Sequence, residues 1–168
     1  MLIDAELDKG LTTMQIIWGA MLFSLAVYVV IATQFGDDIR IEPGVMPEVL
    51  DIVRTVFYLL ALAILFVTRI VRKAVLAGKG MAVSSQPSAL SHPVLQKYLS
   101  AMMIALALSE CIGIFGFVLF LLGKNALDLY LLVALSAAAV VAYRPKRDEL
   151  LDLAWEEQLR TATGGHNI

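Results

Sequence analysis

Charge and cysteine are both scarce in this chain of 168 residues: 17 % are Asp, Glu, Lys or Arg, and there is one cysteine, Cys111. A single thiol excludes an intrachain disulfide, a two-thiolate metal site and a dithiol redox couple. The formal net charge of −2 comes with no basic patch interleaved with stacking aromatics, so nucleic acid is not an expected partner. Histidine is rare as well. His92 stands beside Pro93 and His166 lies in a Gly-rich tail, and isolated loop histidines of this kind are read as solvated rather than as metal or haem ligands. No Gly-rich phosphate loop, zinc spacing or nucleophile motif occurs, so neither a cofactor nor a metal is expected. A basic leader is also lacking: Asp4, Glu6 and Asp8 precede the first apolar segment, which is therefore read as a retained helix rather than a cleaved signal.

What the chain has in abundance is apolar surface, at 60 % hydrophobic residues, far above the usual share for a soluble domain of this length. Lipid is the expected solvent. A bilayer core needs about 20 apolar residues in a helix, and four stretches approach that: roughly 13–35, 50–71, 99–122 and 127–143. Between them stand Gly36, Asp37, Asp38, Pro43, Gly44 and Pro47, then a Gly/Ser/Pro-rich stretch from Gly78 to Pro93, then Gly123, Lys124 and Asn125. The fold class is accordingly all-α, a polytopic membrane protein with residues 1–145 as a four-helix transmembrane domain.

Ten of the thirteen cationic side chains fall on one side of such a bundle: Lys9, Arg69, Arg72, Lys73, Lys79, Lys97, Arg144, Lys146, Arg147 and Arg160. Arg40, Arg54 and Lys124 fall on the other. The positive-inside rule then puts both termini and the 74–97 loop in the cytoplasm, with the chain integral to the inner (plasma) membrane. The loop composition resists regular structure and suits a solvated linker. Beyond the last span, in residues 146–168, Leu150, Leu151, Ala154, Trp155 and Leu159 recur near helical spacing among Asp148, Glu149, Asp152, Glu156 and Glu157. This predicts a short cytoplasmic amphipathic helix followed by a flexible tail, its acidic balance favouring a protein neighbour at least as much as anionic lipid.

Helices in lipid approach closely through small residues. Ala105, Ser109 and Gly113 recur every four residues in the third span, with Gly116 beyond, and Ala134, Ala138 and Ala142 do so in the fourth. The short turn between these spans forces them antiparallel, and the two small-residue rows are expected face to face. The second span is bulky nearly all round, with Ala61 and Ala63 as its only small residues, and is expected to face lipid or to pack loosely.

One residue breaks the apolar character of the third span. Glu110 is the only charged side chain between Lys97 and Lys124, about eleven residues into the span and so near the bilayer midplane at about 1.5 Å per residue. A carboxylate there costs several kcal/mol if charged and unpaired, and no Lys, Arg or His lies at matching depth in another span. Desolvation favours the neutral acid. A group that is neutral in lipid and ionises on meeting water or a foreign cation has the chemistry of a proton carrier. The alternative is a protonated structural acid bonded to Ser136 or Ser24. Other polar groups in the spans, Gln15, Gln34, Ser24, Ser109 and Ser136, are too sparse for an enzyme site.

Ser109 to Gly123 reads SECIGIFGFVLFLLG and resembles the carboxylate-bearing helix of the proteolipid (subunit c) family of rotary ATPases, its vacuolar form most of all. That family places two apolar residues, a small residue, Leu or Ile, Tyr and a second small residue after its acid. Glu110, Gly113, Ile114, Phe115 and Gly116 fill those places here, with Phe115 standing for the tyrosine. The resemblance implies that Glu110 is the ion-binding carboxylate, that Gly113 and Gly116 allow close helix packing, and that the chain assembles with further copies or other subunits. Because Cys111 and Ile112 bring no side-chain oxygen to the acid, protons are expected rather than sodium. Three roles follow: a proton-translocating subunit of a membrane complex, a non-catalytic structural or assembly subunit, or a small proton-coupled carrier.

Overall fold

A computed structural model describes residues 2–36, 46–76 and 93–149, together with 151, 152, 155 and 159. Four helices follow one another: α1 (Leu2–Phe35), α2 (Pro47–Leu76), α3 (Pro93–Gly123) and α4 (Ala126–Ala142). No strand occurs among the described residues. The all-helical expectation holds, and α1, α2 and α3 each contain a stretch long and apolar enough to cross a membrane: Gly10–Phe35, Pro47–Ala74 and Tyr98–Gly123. The fourth helix is apolar but has only 17 residues, about 25 Å of rise, somewhat under a typical hydrocarbon core.

The first three helices outrun the apolar runs that mark them, because a helix ends where its backbone meets a stop and not where hydropathy falls. Pro47 and Pro93 each occupy the first position of a helix, where the missing N–H is not needed and φ is already helical. Between α3 and α4, Lys124 adopts φ 53° and donates its N–H to Phe120 O, closing the end of α3. Asn125 then caps α4, its Oδ1 accepting from the Leu127 N–H at 3.0 Å.

The helices alternate in direction. Gly123 lies against Leu50, and Gly36 O accepts from Lys124 Nζ, so these helix ends meet at one end of the bundle. At the opposite end Arg147 approaches Asp8 at 3.5 Å, while Arg72 and Tyr98 both bond Glu149. The first and last described segments therefore share one end. Most of the 74–97 loop, residues 77–92, and part of the expected C-terminal helix, including Leu150, Ala154, Glu156 and Glu157, lie outside the described residues, as do Arg40, Lys79, His92 and residues 160–168. Arg147–Glu149, Leu151, Asp152, Trp155 and Leu159 are helical.

Helix α3 is the common neighbour of the other three, and α1 also reaches α4. Its row Ala105, Ser109, Gly113 and Gly116 is buried. The partner row is not. Ala134, Ala138 and Ala142 are exposed, and α4 instead buries Leu129, Leu132, Val133, Ser136, Ala139 and Val140. The physical reason is volume. A Cβ on Gly116 would stand 2.9 Å from Leu132 Cβ and 3.2 Å from Leu129 O, so the small residues of α3 form hollows that the larger side chains of α4 fill. Two rows of small residues facing each other would leave a gap or force the backbones still closer.

Helix α2 is exposed over most of its circumference, at Ile52, Leu59, Leu60, Leu62, Phe66 and Ile70 among others, in keeping with its expected lipid-facing character. One edge is packed. Ala61 is fully buried against Ile112, Leu119 and Leu132, and Phe57 stacks on Phe115 at 4.8 Å. At the end of α2 opposite Asp8 and Glu149, Arg54 donates to Asp128 Oδ2 through Nε at 2.9 Å, with Nη2 at 2.8 Å, and Tyr58 donates to Asp128 Oδ1 at 3.1 Å. The Asp128 side chain is 8 % exposed and sits in the first turn of α4, where the helix dipole also favours a negative charge.

Two stability outcomes follow. Gly116→Ala should destabilise the protein by about 1 to 3 kcal/mol, because the new methyl would meet the α4 backbone at Leu129 O; unfolding in detergent measures it. Arg54→Leu leaves the Asp128 carboxylate buried with one donor and should cost about 2 to 4 kcal/mol, while Arg54→Leu combined with Asp128→Leu should recover most of that loss.

Candidate functional site

Glu110 lies midway along the Tyr98–Gly123 stretch of α3, on the side turned towards α1. Its partners come from one face of α1. Ser24 and Tyr28 are four residues apart and so project from the same side of that helix. Ser24 Oγ stands 2.6 Å from Glu110 Oε1, and the Tyr28 hydroxyl donates to the same oxygen at 3.1 Å. The Tyr28 ring is stacked on Phe117 at 5.7 Å, which holds the hydroxyl in place.

Of the two serines that the sequence nominates as partners, one is brought to the acid and one is not. Ser136 donates instead to the carbonyl oxygen of Ser109 at 2.6 Å, joining α4 to α3 on the buried side, and Ser109 Oγ donates to Ala105 O at 2.8 Å. Ser109, Ala105, Gly113 and Gly116 thus belong to the packing beside the site. Gly113 is where α1 closes on α3, since a Cβ there would run into the Leu25 methyl.

Tyr28 is the residue that a reading of the sequence passes over. Position 115, where the resembling family has its tyrosine, carries a ring that turns towards α2 and stacks on Phe57. The hydroxyl comes from another helix. A signal for it exists in the sequence, because Ser24 and Tyr28 are hydroxyl residues at i and i+4 in an otherwise apolar stretch. Likewise, the side-chain oxygens missing at Cys111 and Ile112 are supplied from α1.

The carboxyl is not sealed. Glu110 is half-buried, and no buried side-chain oxygen among the described residues lacks a hydrogen-bond partner. Oε2 receives none of the hydrogen bonds to Glu110, so it is not fully buried. Next to it, Met103, Ala107 and Ile114 form an exposed stripe of α3. Among the described residues no ion pair involves Glu110, and no group of three or more His, Cys, Asp or Glu side chains is placed to hold a metal. Cys111 is a half-buried free thiol.

Cations are found at the bundle ends instead. Beyond the Arg54–Asp128 pair, Arg72 Nη2 contacts both oxygens of Glu149 at 2.7 Å, Tyr98 donates to Glu149 Oε2 at 3.1 Å, and Arg72 stands over the Tyr143 ring at 5.5 Å. Trp18 donates its indole N–H to Val140 O at 2.9 Å and is a packing aromatic between α1 and α4. No protein-family model, curated protein or solved structure matches the chain.

Replacing Glu110 separates its charge from its hydrogen bonding. Glu110→Gln keeps an acceptor oxygen for Tyr28 and should unfold within about 0.5 kcal/mol of the natural chain. Glu110→Leu removes that acceptor and should cost about 1 kcal/mol in the same detergent unfolding measurement, the usual scale for interhelical hydrogen bonds in membranes.

Proposed function

We propose that this protein is a four-span subunit of a membrane complex, with both termini cytoplasmic, in which Glu110 binds and releases a proton. The observation that carries this reading is a carboxyl midway along an apolar helix, bonded on one oxygen by two hydroxyls, not fully buried on the other, and without a cationic partner among the described residues. Hydroxyl groups can serve a carboxyl in either charge state, whereas a fixed Arg or Lys would hold it ionised.

Several features support the membrane arrangement. Three helices have the length and composition to cross, and α4 is tied antiparallel to α3 by a short capped turn and the Ser136–Ser109 bond. The four ends that carry most of the Lys and Arg gather at one end of the bundle, which the positive-inside rule assigns to the cytoplasm. The proteolipid-like stretch around Glu110 suits a subunit that works beside further copies or other chains, and the exposed stripe beside Oε2 leaves the acid approachable from within the membrane. No catalytic role is assigned.

A second reading has its own observation. Glu110 joins α1 to α3 through two hydrogen bonds, which is also what a structural acid in a non-transporting assembly subunit would do.

Labelling with a hydrophobic carbodiimide, which attacks protonated carboxyls in lipid, separates the two. Labelling of the natural chain that falls as pH rises and is absent in Glu110→Gln is the expected result. Equal behaviour of the two chains at every pH would leave Glu110 a structural acid.

A further inference from the structure

The oxygens around Glu110 have more contacts than one set of protons can serve in a single way. Ser24 Oγ lies 2.7 Å from Met21 O and 2.6 Å from Glu110 Oε1. A serine hydroxyl has one proton and two acceptor lone pairs, so it donates along one of these contacts and must accept along the other. Met21 O is a carbonyl oxygen and brings no proton. Glu110 is the only one of the two that can donate, and it does so only when protonated.

Two complete arrangements follow. With the acid neutral, the carboxyl O–H donates to Ser24 Oγ and Ser24 donates to Met21 O. With the acid ionised, one proton has left the carboxyl for water, Ser24 has turned its own proton onto Oε1, and Tyr28 donates to the same oxygen at 3.1 Å. Met21 O then retains the backbone bond of the helix. Neither state strands a buried polar group.

We propose that Ser24 is the positioning residue of the Glu110 site, reversing its hydrogen bond as the carboxyl changes protonation state, while Tyr28 is a donor in both states. This rests on the reading of Glu110 as a proton-binding group. The other polar clusters among the described residues lack such a feature. Asp128 and Glu149 face arginines, and every hydrogen bond they receive has a fixed direction, from guanidinium or phenol to carboxylate.

Infrared difference spectra between low and high pH test it, on the full chain in lipid vesicles. The natural chain should show a neutral-carboxyl C=O band that disappears at high pH and is absent from Glu110→Gln. Ser24→Ala should move that band to higher wavenumber, because the acid loses its acceptor, and Ser24→Thr, which keeps a hydroxyl, should hold it in place. Tyr28→Phe should leave the band where it is and move the carboxylate band instead. A C=O band unmoved in Ser24→Ala, or moved as far in Tyr28→Phe, would overturn the reversal while leaving proton binding intact. A natural chain with no titrating Glu110 band would overturn the proton-binding reading and the reversal together.

Discussion

The contact between α3 and α4 sets the frame for everything else in the molecule. Gly116 lets the α3 backbone come against Leu129 O and Leu132 Cβ, and one turn inward Ser136 donates to the Ser109 carbonyl. With that face of α3 committed to α4, only three directions remain around it. One edge holds the aromatic and aliphatic surface that receives Ala61 and Phe57 of α2, another carries Glu110 towards α1, and the strip between them is left exposed. The position of the acid is therefore a consequence of how tightly the opposite face packs. In a solvent as apolar as the side chains themselves, such fit takes over the part that water expulsion plays in soluble proteins.

Polar side chains are distributed by depth, and their partners change with it. At the ends, where water and headgroups lower the cost of charge, carboxylates meet arginines: Asp128 meets Arg54 at one end and Glu149 meets Arg72 at the other. Midway along α3 the carboxyl meets hydroxyls only. An ion pair keeps a carboxylate charged, and a hydroxyl leaves the choice open because it can give or accept a proton's bond. A carboxyl thus serves as a clamp at the ends of the bundle and is bound by hydroxyls alone in the middle.

The proposed role of Glu110 draws on two separate sources, the proteolipid-like pattern of Ser109–Gly123 and the hydroxyls that α1 brings to the acid. The phenol beside Glu110 comes from α1, and Phe115 packs on α2. The site is assembled from two helices that lie far apart in the chain. Any partner that approaches Glu110 does so along the strip of Met103, Ala107 and Ile114, since the other faces of α3 are occupied.

Helical class, the existence of the apolar segments, the antiparallel turn at Gly123–Asn125 and the singularity of Glu110 were all legible in the residues alone, because each depends on local composition, on periodicity or on a short connection. Ser24 could be nominated as a partner for the same reason, being a hydroxyl at comparable depth. Several features were not legible: the exposed orientation of Ala134, Ala138 and Ala142, the diversion of Ser136 to a backbone carbonyl, the Arg54–Asp128–Tyr58 cluster, and the arrival of Tyr28 at the acid. Each depends on how one helix is rotated and shifted against another. A lone carboxyl within an apolar helical segment follows from residue order alone; which hydroxyls face it follows from packing, because rotation and register are set by the volumes of side chains that meet from separate helices.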